Sequence, residues 1–216
     1  MKKTVLLIGL GRYGRHVAQK LHELHHEIMA VDKSEARVNM VLPFVTNALV
    51  ADSTDEEFLR SLGIRNFDLC IVAIGDDFQS SLETTSLLKD LGAKYVVARA
   101  SRGIHEKFLL RNGADEAVYP EKQLASWTAI RYGYDHLLDY FELSDRYAVY
   151  ELPMPAEWCN HTIGELQIRQ NYHVNVLGIK QRGALNVEIS PQTKLVAEDT
   201  ILVIGRHEDM HKYFRI

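Results

Sequence analysis

The sequence has no surplus of positive charge. Its 25 Lys and Arg stand against 29 Asp and Glu, a formal net charge of −4. Without a basic tail or a Lys/Arg-rich run it offers no grip on a phosphate backbone, so nucleic acid is not an expected partner. Long hydrophobic runs are missing too. The longest, such as residues 69–75 and 200–205, fall far short of the roughly 20 residues that a membrane helix needs. Gly9 interrupts the apolar stretch after Met1-Lys2-Lys3, which argues against a secretory leader. Cysteine is scarce: Cys70 and Cys159 lie far apart and in no ligand spacing, so they read as reduced thiols of a soluble, cytoplasmic protein. What is present is apolar material, 46% of 216 residues, enough for one large core or two modest ones and too much for a disordered chain.

Residues 1–120 alternate short β-branched runs with helical patterns, the rhythm of parallel strands joined by crossover helices. Strands are expected at Thr4–Ile8, Glu27–Val31, Asn47–Ala51, Leu69–Ile74, Tyr95–Ala98 and Glu116–Tyr119. Most have little polar alternation, as suits strands covered on both faces. Val17, Leu21 and Leu24 mark one face of a helix that starts near Gly11. Thr54 and Glu57 have capping-box spacing, and Gly63, Gly92 and Gly113 follow apolar helical stretches as stops. From Pro120 a longer helix is expected to about Phe141, with Leu124, Trp127, Ile130, Tyr134, Leu137 and Leu138 on its stripe. It packs either on its own sheet or on a second subunit. Beyond Ser144 the pattern is a small α+β unit. It has strands at Tyr147–Leu152, Asn175–Lys180, Leu185–Ile189 and Thr200–Ile204, a short helix opened by Thr162 and Glu165, a turn at Arg182-Gly183 and a final helix near Glu208–Phe214. A unit of about 70 residues is marginal alone and is expected to lean on a neighbour, such as a copy of itself.

The chemistry is concentrated at the first turn. Gly9-Leu10-Gly11-Arg12-Tyr13-Gly14 follows the first strand and opens the first helix, the context in which G-x-G-x-x-G signals a dinucleotide site. Gly9 permits the tight turn, Gly11 lets backbone N–H groups approach a pyrophosphate, and Gly14 lets helix and strand sit close. Asp32 closes the second strand, where a carboxylate can accept both ribose hydroxyls and would repel a 2′-phosphate. Ligands of open parallel sheets collect at the carboxyl ends of the strands. This adds Lys33, then Asp52, Ser53 and Thr54 after the third strand, Ala73, Ile74 and Gly75 after the fourth, and Arg99 after the fifth. Asp52 reads equally as an ordinary residue of a helix N-terminus, and Arg12 as either a phosphate contact or a solvated arginine. No placed His/Asp or Lys/Tyr pair accompanies the glycine turn, which argues against hydride-transfer catalysis. His22, His25 and His26 read as surface residues. The expected fold is α/β: a Rossmann-like doubly wound parallel sheet over residues 1–120, a crossover and dimerisation helix over 121–144, and a small α+β domain over 145–216.

Residues 4–14, Ala30-Val31-Asp32, Ala51-Asp52-Ser53-Thr54, Leu62-Gly63-Ile64, Val72-Ala73-Ile74-Gly75 and Gly113-Ala114-Asp115 resemble, in order and spacing, the RCK (KTN) regulatory subunits of Ktr/Trk-type potassium uptake systems. Ile163-Gly164-Glu165-Leu166, Ile168-Arg169 and residues 199–205 resemble that family's C-terminal TrkA-C domain. The resemblance implies a non-enzymatic protein whose dimers form an octameric ring beneath a membrane-embedded channel subunit. There, exchange of ATP for ADP, or of NADH for NAD, changes the ring's shape and the channel's gating. It makes Arg12 the sensor of the terminal phosphate and leaves Asp32 and Asp52 to hold ribose and adenine. It also implies a divalent cation, Mg²⁺ or Ca²⁺, near Glu121, although Glu121 reads equally as a first-turn acid favoured by the helix dipole. Some members bind cyclic di-AMP through an arginine at the place of Arg169; here Asn171, Tyr172 and His173 depart from the expected pattern. Rival readings are a small NAD-dependent oxidoreductase and a ligand-sensing module of another cation transporter or antiporter.

Overall fold

A strand without polar alternation must be covered on both faces, and β1 (Thr4–Ile8) shows how this chain does it. Leu6 and Ile8 point into one apolar cluster with Leu59, Leu88 and Leu109. Val5 and Leu7 point into another with Ala18, Val38 and Val41. The computed structural model describes residues 2–216, which divide into two units, the first ending at Gln123 and the second spanning Leu124–Ile216. In the first, β1 is followed by α1 (Arg12–Glu23), β2 (Glu27–Asp32), α2 (Glu35–Val41), β3 (Asn47–Val50), α3 (Glu56–Ser61), β4 (Leu69–Val72), α4 (Phe78–Asp90), β5 (Val96–Arg99), α5 (Gly103–Arg111), β6 (Glu116–Val118) and the start of α6 (Pro120–Gly133). The six strands are parallel in the order β3-β2-β1-β4-β5-β6. This is the doubly wound sheet expected from the sequence, with its switch point between β1 and β4. Each fully buried Leu or Ile on β1 contributes about 1.5–3 kcal/mol of hydrophobic stabilisation.

Helix ends follow local chemistry. Gly63, Gly92 and Gly113 stop the helices before them with φ of +67°, +89° and +101°, conformations that favour glycine. The cap of α3 is Asp55, whose side chain accepts from the Glu57 and Phe58 N–H groups, not Thr54; the Thr54 hydroxyl instead donates to Asp52. Leu24 falls just past the end of α1 and is exposed, so only Val17 and Leu21 of the expected stripe pack on the sheet.

The largest correction concerns the long helix. It ends at Gly133, where glycine is a poor helix former, and Asp139–Glu142 is a strand, β7, paired antiparallel with β8 (Tyr147–Pro153). Trp127 and Ile130 pack against the core of the second unit and Leu137 is part of it, while Leu124 and Tyr134 are exposed. The second unit continues with α7 (Ile163–Leu166), α8 (Ile168–Tyr172), β9 (Asn175–Gln181), β10 (Ala184–Asn186), β11 (Thr200–Arg206) and α9 (His207–Phe214). Its antiparallel sheet has the order β10-β9-β11-β8-β7. One face is covered: Ala148, Tyr150 and Leu152 of β8 and Ile201 and Val203 of β11 are buried with Trp158, Leu195 and Met210. The Thr162–Glu165 capping box forms in both directions. Arg182 and Gly183 both take positive φ, +48° and +87°, the primed-turn geometry of a two-residue hairpin. β10 is shorter than expected, ending at Asn186.

Candidate nucleotide-binding site

At the carboxyl end of β1 the chain turns through Gly9, whose φ of +93° and close approach to Ala73 and Ile74 leave no room for a Cβ. Its N–H donates to the Val31 carbonyl, 2.8 Å. The turn delivers α1, whose first turn has no side-chain cap and no acidic residue. The helices α3 and α4, by contrast, are closed by Asp55 and Asp77. An uncapped helix start presents unpaired N–H groups and partial positive charge, a ready anion site. Gly14 is structural: a Cβ there would overlap the Gly9 carbonyl. Gly11 differs from both, because a Cβ built on it meets nothing within 4 Å and its φ is −63°. The protein alone does not require glycine at 11.

Asp32 ends β2, buried to 6% exposure. One carboxylate oxygen accepts from the Leu10 N–H (2.7 Å) and the other from the Ser34 N–H (2.8 Å), with the Arg37 guanidinium 3.6 Å away. Each oxygen keeps a second lone pair for a hydroxyl. Asp52 lies outside α3, its carboxyl held below the usual range by the Thr54 N–H and hydroxyl. Ser53 is buried and bonded to the Thr84 hydroxyl, 2.9 Å, which ties the end of β3 to α4.

These groups surround one cavity of about 640 Å³, within the range of small-molecule sites. Of the residues expected from the sequence, Gly9, Gly11, Arg12, Tyr13, Asp32, Lys33, Asp52, Ser53, Ala73, Ile74, Gly75, Arg99 and Glu121 form its wall. Gly14 and Thr54 do not; Gly14 packs against the Gly9 carbonyl and Thr54 holds Asp52. Arg169 lies in the second unit, exposed on α8. Arg37, Asp76, Asp77 and Ser80 were not expected in the wall. Asp77 caps α4 through the Ser80 N–H (3.1 Å) and hydroxyl (2.7 Å) and lies 3.8 Å from the Lys33 amine. An Asp standing directly before a helical pattern was a readable cap signal.

Arg99 leaves β5 with its side chain 16% exposed. Its guanidinium lies 5.6 Å from the Tyr13 ring centroid and is pressed against Gly75, where a Cβ would come within 2.6 Å of Cζ. It is ion-paired with Glu121 in the first turn of α6. Burial pushes the Glu121 carboxyl up, but its backbone N–H and the Arg99 and Arg12 charges outweigh this and hold it below its ordinary value. The Tyr13 hydroxyl is pushed up by burial. Among the described residues no group of three or more His, Cys, Asp or Glu is placed to hold a metal ion, and no helix is long and apolar enough to cross a membrane.

A six-stranded parallel sheet, a glycine turn feeding an uncapped helix, and an acid at the end of β2 facing the same cavity together define a Rossmann-type nucleotide-binding domain, joined here to a small α+β domain. Residues 5–120 match the TrkA-N domain model and residues 147–216 the TrkA-C domain model; the chain belongs to the family built from these two domains. It is 37% identical over 213 residues to Ktr system potassium uptake protein C of Bacillus subtilis (strain 168), covering 99% of this chain and 96% of that one. It is 35% identical over 211 residues to Ktr system potassium uptake protein A of the same strain, covering 98% and 95%. Among solved structures, the GsuK channel bound to NAD shares the fold with a TM-score of 0.67 at 19% identity, over 97% of this chain and 38% of that one.

Proposed function

We propose that this chain is the nucleotide-sensing regulatory subunit of a Ktr/Trk-type potassium uptake system, acting at the cytoplasmic face of the membrane on a membrane-embedded channel or transporter partner. The observation that carries the nucleotide reading is Gly11: glycine stands where the chain itself has room for a side chain, at the N-terminus of an uncapped helix lining the cavity. A ligand whose phosphates approach the backbone accounts for that choice. The potassium reading is supported by the relatives' names and full-length similarity.

In this proposal Asp32 takes the ribose diol and Asp52 the adenine side, while Arg12, exposed at the start of α1, meets the terminal phosphate. ATP and ADP are the favoured pair, with NAD and NADH sharing the same adenosine seat; a channel of the same fold was solved with NAD. Nucleotide exchange shifts the assembly only as far as each nucleotide prefers one conformation. The assembly proposed is a ring of homodimers, an octamer. A divalent cation at Glu121, Mg²⁺ or Ca²⁺, requires that carboxylate to leave Arg99, and cyclic di-AMP at Arg169 belongs to the second unit; both are separate arms of the test. Calorimetry with ATP, ADP, NAD, NADH and cyclic di-AMP, with and without Mg²⁺ or Ca²⁺, checks the reading. Arg12→Ala is expected to weaken ATP more than ADP, and equal loss for both removes its sensing role. Steady NADH oxidation with carbonyl substrates would instead favour an oxidoreductase.

A further inference from the structure

We infer that Glu121 is an internal stand-in for the ligand's phosphate: it neutralises Arg99 while the cavity is empty, and a phosphate-bearing ligand must displace it to reach the guanidinium. The inference rests on the nucleotide reading above and concerns what regulates that site. Its basis is an asymmetry between the two partners. Arg99 is fixed, with Gly75 against its guanidinium, the Tyr13 ring beside it and only 16% of its side chain exposed. Glu121 is 57% exposed, in the first turn of an exposed helix. A largely covered guanidinium is costly to leave without an anion, whereas an exposed carboxylate can turn to water at little cost. The pair is also incomplete. Arg99 Nη2 donates to Glu121, but the buried Nε has no acceptor among the described residues. A guanidinium is a fork that two oxygens of one group can satisfy, and a phosphate offers more oxygens than Glu121 uses. Both residues face the cavity that the glycine turn and Asp32 line.

This arrangement sets a requirement on the ligand. A neutral nucleoside can fill the adenosine seat but cannot compete for Arg99. A phosphate that reaches the fork gains Arg99 only by displacing Glu121, so its net gain is reduced by the ion pair it breaks.

The test is calorimetry on the full chain with adenosine, AMP, ADP and ATP, for the wild type, Glu121→Gln, Arg99→Met and the double variant. Glu121→Gln is expected to tighten ADP and ATP by roughly fivefold, about 1 kcal/mol for one partly exposed ion pair, and to leave adenosine unchanged. In the Arg99→Met background the same change is expected to do nothing, because there is no fork left to compete for. Arg99→Gln gives the same comparison should the Met variant fail to fold. A gain that persists without Arg99 overturns the inference, since Glu121 would then act as a simple repelling charge. So does a gain that extends to adenosine, or no gain at all. Wild-type binding with a silent Glu121→Gln removes this inference and leaves the nucleotide reading intact, whereas absence of binding by every variant removes both.

Discussion

Gly11→Ala separates the needs of the fold from those of a ligand. The alanine Cβ would meet no atom within 4 Å, and the backbone there, φ −63° and ψ −170°, suits any residue. Alanine is a poorer N-cap than glycine by up to about 1 kcal/mol, but it lowers unfolded-chain entropy by about 0.4–1 kcal/mol. The net change is near zero, and the melting temperature is expected to move by less than about 4 °C. Binding is expected to behave differently. A methyl group at the head of α1 holds a phosphate away from the first N–H groups, and each charge-assisted hydrogen bond lost costs about 1.5–3 kcal/mol, roughly 10- to 100-fold in affinity. Thermal melts without ligand and calorimetry with ADP on the same protein measure both quantities. Gly14→Ala is the contrast: its Cβ overlaps the Gly9 carbonyl, so it is expected to lose about 3 kcal/mol of stability before any ligand is added. Unchanged ADP affinity in a folded Gly11→Ala protein would refute the idea that phosphates sit on this turn.

Two further outcomes follow from the geometry. Asp32→Ala removes the acceptor of the Leu10 and Ser34 N–H groups and the seat proposed for the ribose; all four adenine nucleotides are expected to lose affinity together in calorimetry, and selective loss of one would contradict the shared seat. His105 is fully buried between Ser81 and Ser101, its ring 4.8 Å from that of Phe78, and burial, then the Arg102 and Arg99 charges, lower its pKa from 6.5. As pH falls below about 6.5 the unfolded chain takes the proton first, so stability is full above that pH and declines below it, by at most about 1.4 kcal/mol per pH unit. Melts from pH 7.5 to 5 are expected to show a slope that His105→Gln reduces; an unchanged slope would assign it to other groups.

Much of this was legible because the signals are local. Val5–Ile8 and Leu69–Val72 are unbroken apolar runs, as doubly covered strands are, and the six glycine-turn residues sit where strand meets helix. The Thr162–Glu165 cap is a matter of three residues' spacing. The misreadings arise where partners are remote. Residues 134–141 keep a helix-like apolar spacing, but 134–138 form a turn and Asp139–Glu142 is a strand, fixed by pairing such as Tyr140 with Tyr150 across the sheet. The misreading at Thr54 is instead local: Asp55, the next residue, caps the helix, while Asp52 engages the Thr54 hydroxyl. Arg37 and Asp77 reach the cavity wall because loops after different strands converge, and the Arg99–Glu121 pair spans 22 residues of chain. No spacing rule encodes either.

The acid at the end of β2 also fastens the glycine turn through the Leu10 N–H, so in the proposed reading the shape of the cleft and the choice of sugar are written in one side chain. Retooling the cleft for a cofactor phosphorylated on its ribose would mean exchanging Asp32 for a neutral or basic residue. That exchange would release Leu10 and let the turn drift. A change of cofactor at this position therefore demands a second substitution to re-anchor the loop, and the two must arrive together.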